Sequence, residues 1–335
     1  MNALSDAALR RLREAADAPD LTGTKYEIVA RIGQGGMGTV YRVHDRELGR
    51  EVALKVVRLP EGAPDIAARM MREARTLARL EHPGIVPIHD VGTLVDGRVF
   101  YAMKLVRGSP LHELAVTGLA ERLRIVERIC EAVAFAHAHG VIHRDLKPQN
   151  VMVGPFGEVL VMDWGVAKIV GDATPSLPSL GVDSVPATDE QAGPSTGHGV
   201  VLGTPGYMAP EQAAGDPSLV TARADVHAIG ALLRDLCGTN AEATRQAAPH
   251  VLGDVPRPLR AIIGRAMAPN PQDRYADATA LARDVAAFRA GDRVSAYNEN
   301  LFERARRLAV RHSTPILLVL AYLLMRLTFL AVFGR

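Results

Sequence analysis

Cysteine is nearly absent: Cys130 and Cys237 are the only two, and both fall inside helical patterns. Two lone cysteines without CxxC spacing make neither a disulfide framework nor a zinc site, which points to a reducing compartment. The folded part has no basic block, and the net charge is only +2, so nucleic acid is not expected as the main partner. The opening MNALSDAALRRLREAAD is too charged for a secretory signal. Lysine is scarce as well: of 39 basic residues only Lys25, Lys55, Lys104, Lys147 and Lys168 are Lys. In so Arg-rich a chain, a Lys marks a place that needs a compact point charge rather than a planar fork. Tryptophan occurs once, as Trp164 in VMDWGVAK.

Hydrophobic residues make up 48% and charged residues 23%, enough for a substantial core in one or two domains. Residues 3–18 read as a short polar helix ending at Pro19. From Tyr26 to Val106 the pattern is strand-like: KYEIVARIG and TVYRVHD alternate, and EVALKVV is a continuous apolar run around one Lys. One helix interrupts at about 65–80, with Ile66, Met70, Leu77 and Leu80 on one stripe. After Gly108 the texture is helical. Helices are expected over 119–139, stopped by Gly140; over 223–237, stopped by Gly238; and over 278–290, between Asp277 and Gly291. Residues 171–199, rich in Ser, Thr, Pro, Gly and Ala, read as a mobile loop.

IGQGGMGTVYRV carries Gly33, Gly35 and Gly38. A strand follows rather than a helix, which disfavours a dinucleotide fold, and the Gly-Lys-Ser/Thr of a Walker A loop is missing. Such a hairpin can lay backbone N–H groups over phosphates, but a hairpin with no ligand remains open from the glycines alone. Lys55 adds the second element. A charge inside an apolar strand is costly unless paired, and Glu73 on the intervening helix is the expected partner. Lys55 then holds nucleotide phosphates. In VIHRDLKPQN, Asp145, Lys147 and Asn150 lie within six residues of a turn set by Pro148. Asp145 can accept a hydroxyl proton, Lys147 can stabilise a moving phosphoryl group, and Asn150 offers Mg²⁺ a neutral oxygen. Asp163 supplies the anionic metal ligand.

The Gly-rich loop, VALK, helix Glu, HRDLKPQN, DWG and GTPGYMAPE occur in an order that resembles the eukaryotic-type Ser/Thr protein kinases, in particular their bacterial membrane-anchored branch. The resemblance covers about 26–290. It implies an α+β, two-lobed fold: a small antiparallel-sheet N-lobe with one helix (26–106) and a larger helical C-lobe (107–290). ATP and Mg²⁺ would be the cofactors and protein Ser/Thr hydroxyls the substrates, with a homodimer among the partners the reading admits. Residues Ile32, Gly33, Gly35, Gly36 and Gly38 would cover the nucleotide. Val40, Ala53 and Met152 would sandwich the adenine. Met103 stands at the gatekeeper position, and the backbone of Lys104 and Val106 would bond the adenine edge. Asp163 would bind Mg²⁺, with Trp164 in place of the family's Phe. Thr204 would bond Asp145 or Lys147, Glu211 would pair with Arg274, and Asp225 would brace the catalytic loop. Arg144 would pair with a phosphate on the activation segment, for which Thr196 and then Ser195 are the expected sites. A nucleotide-binding pseudokinase scaffold is the competing reading. The presence of Lys55, Glu73, Asp145, Asn150 and Asp163 together weighs against it.

Residues 315–333, PILLVLAYLLMRLTFLAVF, hold one charge, Arg326. As a helix they would span about 28 Å, close to a hydrocarbon core of roughly 30 Å, so they are expected to cross a membrane. Arg304, Arg306, Arg307 and Arg311, in a basic juxtamembrane stretch (291–314), would keep the kinase on the cytoplasmic side of the inner membrane, as a single-pass protein with membrane lipid as a partner. A tail anchor and a chain continuing into an outer region both stay open.

Overall fold

The computed structural model describes residues 18–35, 38–57, 71, 72, 74–114, 118–164, 168, 169, 206–215, 219–238, 255–304, 318, 319, 321–326 and 328. Several expectations fall outside these residues: the polar helix over 3–18 (apart from Ala18), Gly36, Glu73, the loop 171–199 with Ser195 and Thr196, and Thr204.

The alternating N-terminal segments form a five-stranded antiparallel sheet. Its strands are β1 (Tyr26–Gly35), β2 (Gly38–Asp45), β3 (Arg50–Val57), β4 (Ile88–Thr93) and β5 (Val99–Lys104), in the order β1-β2-β3-β5-β4. Period-two patterning gives each strand two faces. One face buries Tyr26, Tyr41, Val43, Val52, Leu54, Val56, Phe100 and Ala102 in a core of its own. The other carries Ala53, Lys55, Tyr101 and Met103, because Ala53 pairs with Met103 and Lys55 with Tyr101. Residues 71, 72 and 74–77 are helical, inside the helix expected at 65–80.

The second core belongs to the helices. The first, α1 (Leu119–Ala138), buries Leu123, Val126, Ile129 and Val133 along one stripe. The next, α2 (Ala222–Cys237), has every residue from Ala224 to Leu233 buried. A helix closed off on all sides is the axis of its lobe. Its N-cap Thr221 accepts from the Arg223 N–H. Then α3 (Arg257–Ala266) and α4 (Ala278–Ala290) complete the helical layer. Asp277 caps α4 by accepting from the Ala280 N–H at 2.7 Å, and Gly291 ends it at φ 73°, a left-handed conformation that suits glycine.

Two features differ from the sequence expectation. The larger lobe is not purely helical: β6 (Ser109–Pro110), β7 (Val141–Ile142), β8 (Val151–Val153), β9 (Val159–Val161) and β10 (Lys168–Ile169) flank its loops. Two or three residues are too few for an alternation to register. Helix α3 was not expected, although its buried Leu259, Ile262, Ile263 and Ala266 follow helical spacing. A parallel bridge from Ile85 to Val161 joins the two lobes. The expected membrane helix over 315–333 is described only at 318, 319, 321–326 and 328, which are helical and exposed; among the described residues no helix is long and apolar enough to cross a membrane.

Candidate active site

Lys55 is 5% exposed and its ammonium forms an ion pair with Asp163 Oδ1. The partner expected from the sequence, Glu73, lies outside the described residues; the partner seen, Asp163, is the residue expected to bind metal. Burial alone would pull the Lys55 ammonium down. Tyr101 and Asp163 outweigh that burial, so the group is held above the ordinary lysine value and stays charged. Asp163 follows β9 and adopts φ 59°. A non-glycine residue held in the left-handed region is strained, and strain of this kind gathers at functional sites. Its carboxylate is 45% exposed, open to the cleft.

The next residue explains how that strain is held. Trp164 is buried, donates its indole N–H to the Val161 carbonyl at 3.1 Å, and packs on the His143 ring with centroids 4.7 Å apart. His143 Nε2 in turn lies 2.9 Å from the Met162 carbonyl. The chain on both sides of Asp163 is thereby tied to the loop that carries Asp145. The large ring is a wedge between two functional segments.

That loop is clamped from below by α2. Asp225, 1% exposed, accepts from the backbone N–H groups of His143 and Arg144, both at 2.8 Å, and lies 2.8 Å from His137 Nε2. Burial would raise its pKa, but the His137 contact and the His143 side chain and N–H outweigh it, holding the carboxyl below the usual range. Arg144, at φ 69°, is a second strained residue, and its carbonyl accepts from Gln212 Nε2 at 2.7 Å. The reactive groups follow at once. Lys147 Nζ is 2.7 Å from Asp145 Oδ2, and Asn150 Nδ2 donates to the Asp145 carbonyl at 2.7 Å. This uses the donor end of the Asn150 amide and leaves its oxygen as an acceptor.

Above this cluster, β1 and β2 meet at Gly35 and Gly38. Gly38 has φ 151°, and a Cβ there would collide with the Val56 carbonyl, so only glycine fits. Ala53 is buried, Met103 and Met152 are partly buried, and Val40 pairs with Lys55. Ile32 is exposed. The Lys104 N–H donates to the Pro87 carbonyl at 3.1 Å, so only the Lys104 carbonyl can serve an adenine edge. Val106 is partly buried beside it. On the far side, Glu211 and Arg274 form a two-pronged pair at 2.7 Å each, with Arg274 also donating to Ala268, Pro269 and Arg223 carbonyls. This matches the expected bridge, and it fixes residues 206–215 to the larger lobe.

The residues present fit a magnesium ion. The open carboxylate of Asp163 and the free amide oxygen of Asn150 are both hard oxygen donors, the type that ion takes alongside phosphate oxygens. His137, His143, Gln212 and Tyr101 had not been singled out from the sequence. The H of HRD is visible there, but a His packed on Trp164 or a Tyr opposite Lys55 is apparent only once the strands and loops are paired.

The sequence matches the protein kinase domain family over residues 26–299. It is 34% identical over 297 residues to the serine/threonine-protein kinase PknD of Protochlamydia amoebophila, covering 78% of this chain and 29% of that protein. It is 42% identical over 228 residues to the DNA damage-responsive serine/threonine-protein kinase RqkA of Deinococcus radiodurans, covering 65% of this chain and 30% of that protein. The chain thus spans about a third of the length of these curated relatives. Among solved structures, the Mycobacterium tuberculosis PknI kinase domain superposes with a TM-score of 0.56 at 28% identity, over 80% of this chain and 96% of that one. With the paired Lys55 and Asp163, the clamped loop and the Glu211–Arg274 bridge in the same chain, the protein belongs to the protein kinase domain family.

Proposed function

We propose that the chain is a Ser/Thr protein kinase that transfers the γ-phosphoryl group of Mg·ATP to protein hydroxyls. One observation carries the reading: the buried Lys55 ammonium, the strained Asp163 and the Asp145–Lys147–Asn150 cluster are tied together through His143 and Trp164. Lys55 orients the nucleotide phosphates. Asn150 and Asp163 would hold Mg²⁺, which when bound offsets phosphate charge. Asp145 accepts the proton of the incoming hydroxyl as its oxygen bonds the γ-phosphorus and ADP departs. Lys147, beside Asp145, stabilises charge on the phosphoryl group in flight. The Glu211–Arg274 bridge keeps the substrate-facing segment in place while this happens.

Ser/Thr selectivity is supported by Lys147-Pro148 and Thr204 in the sequence and by the names of the curated relatives. Regulation by phosphate on Thr196 or Ser195, read by Arg144, belongs to the same proposal, as does attachment to the inner face of a membrane through 315–333. The support for attachment is the single charge in that stretch and the exposure of Leu318, Val319, Tyr322, Leu323, Leu324 and Met325. Incubation with γ-labelled ATP and Mg²⁺, followed by phosphoamino-acid analysis, should give phosphoserine or phosphothreonine. Label on tyrosine alone, or none, would contradict the assignment. Fractionation should place the full chain in membranes and a chain ending at residue 312 in the soluble fraction; equal distribution would remove the anchor.

A further inference from the structure

We infer that Leu301 and Phe302 are a membrane-contact pair: with Arg257 and Arg304 they seat the larger lobe on the surface of an anionic phospholipid bilayer. The inference deepens the proposed attachment through 315–333 and rests on it. That stretch tethers the chain, and the pair decides which side of the kinase domain meets lipid.

The starting observation is exposure on a fixed scaffold. Leu301 is 86% exposed and Phe302 78%, although both lie in a helical turn, 301–304, that is tied to the lobe. Single exposed apolar side chains are ordinary, whereas contiguous ones mark a contact surface. The turn is built by a reciprocal cap. The Asn300 side-chain oxygen accepts from the Glu303 N–H at 2.8 Å, and the Glu303 carboxylate accepts from the Asn300 N–H at 3.1 Å. The Arg304 N–H closes the turn on the Asn300 carbonyl at 3.0 Å. The same carboxylate is held from the lobe. Tyr297, packed against the larger core, donates its hydroxyl at 3.0 Å, and Arg257 at the start of α3 lies 3.7 Å away. Glu303 therefore faces the protein. Positions 302 and 301 lie about 100° and 200° around the helix from it, and so face outward.

Charge and continuity select lipid as the occupant. The Arg257 side chain is 76% exposed and Arg304 is exposed beside the pair. From Arg304 to Thr314 the sequence holds four Arg and no Asp or Glu. Apolar side chains flanked by charge of one positive sign suit a bilayer surface, where the apolar groups enter the acyl boundary and the guanidiniums meet anionic headgroups. Pro315, the start of the apolar stretch, is 11 residues beyond Arg304, so the connection reaches at most about 40 Å even when extended. Within that radius the pair meets the bilayer at high effective concentration, and a contact too small to hold a free protein becomes populated.

The test reconstitutes the full chain into vesicles of phosphatidylcholine with phosphatidylserine, or of phosphatidylcholine alone. Cys130 and Cys237 are buried, so one introduced cysteine can carry a polarity-sensitive fluorophore. The probes go on Phe302→Cys, on Leu301→Cys as a second position in the same turn, and on Leu323→Cys within 315–333. Val95→Cys, 76% exposed on the β4–β5 turn, is the water control. With phosphatidylserine present, the 301 and 302 probes should shift to the blue. Lipid spin labels placed near the headgroup should quench them more than labels placed deep, since such side chains sit about 5–10 Å into the boundary. Quenching should fall at least about twofold in phosphatidylcholine alone, where the Arg side chains lose their partners. The Val95 probe should stay unquenched. If the Leu323 probe is quenched and those at 301 and 302 are not, the inference is overturned and the anchor stands. A blue shift at 301 and 302 without quenching by lipid means that protein covers the pair, a second copy included, and also overturns it. Equal quenching in both lipids, or equal quenching at Val95, refutes a specific anionic contact. If the Leu323 probe is unquenched as well, the anchor falls together with the inference, so the two failures are distinct.

Discussion

Asp225 offers the sharpest perturbation. Its two carboxylate oxygens accept from the His143 and Arg144 N–H groups, and Oδ2 also meets His137. Asp225→Asn preserves volume but supplies one acceptor oxygen and one NH₂. Whichever way the amide turns, at least one buried backbone N–H faces a donor. Leaving one buried donor unsatisfied costs about 1–3 kcal/mol, and the surviving contacts lose their charge assistance, so the total should be about 2–4 kcal/mol. For a domain of this size 1 kcal/mol corresponds to about 2–4 °C, so Tm should fall by roughly 5–15 °C. Activity should fall further than stability, because these N–H groups set the backbone entering Asp145. A misplacement of about 1 Å can cost on the order of 100-fold, so kcat measured well below the melting transition should drop about 10- to 100-fold. Thermal melting and steady-state phosphotransfer on the same preparation give both numbers. A Tm within 2 °C of wild type together with a kcat within about twofold would refute the clamp.

Four further outcomes follow from the same reasoning. Asp225, Asp284 and Glu211 all have folded-state pKa values held below their ordinary values. Their stabilisation is therefore complete above the unfolded carboxylate range and lost as pH falls through the folded values; His82, His89 and His227, which desolvation holds below the ordinary histidine value, should give a first loss as pH falls through about 6.5, and the carboxylates should add a further Tm decline below about pH 4. Asp284→Asn, which disturbs acceptor contacts to Tyr275, Ser295 and Ala296, should make that decline shallower, as seen by melting across pH. Trp164→Phe keeps an apolar ring and loses the bond to the Val161 carbonyl, so it should cost about 1–2 kcal/mol and leave kcat within a fewfold; total loss of activity would refute the wedge. Gly38→Ala forces a collision with the Val56 carbonyl and should weaken ATP binding at least about tenfold in titration, since the hairpin must open to relieve it.

How much was legible in the sequence depended on whether a signal is local. The β1–β2–β3 strands, α1, α2 and the Asp277-to-Gly291 caps follow from spacing and capping chemistry within one segment, and they stand as expected. The Glu211–Arg274 bridge and the Asp225 brace also stand, because the resemblance supplied a partner for each charge. What the sequence could not supply was pairing across segments. From sequence, the charge of Lys55 in its apolar strand is expected to pair with Glu73 on the intervening helix, which lies outside the described residues; the partners the structure describes, Asp163 and Tyr101, stand 108 and 46 residues away along the chain. Sequence position gives no hint that β5 lies against β3, since β4 follows β3 in the chain but sits at the sheet edge. His143 reads from sequence as part of a motif; only the fold shows it as the ring that Trp164 rests on. The short strands β6 to β10 are specified by the loops they bracket and not by any pattern of their own.

The central claim is phosphoryl transfer at Asp145 beside a nucleotide held by Lys55. The most direct measurement compares wild type with Asp145→Asn for γ-phosphoryl transfer from Mg·ATP to a Ser/Thr peptide, with ADP affinity determined on the same samples. The account predicts that the variant loses transfer by at least about 100-fold while binding ADP as wild type does. Equal transfer by both proteins, or wild type that binds nucleotide and transfers nothing, would contradict it.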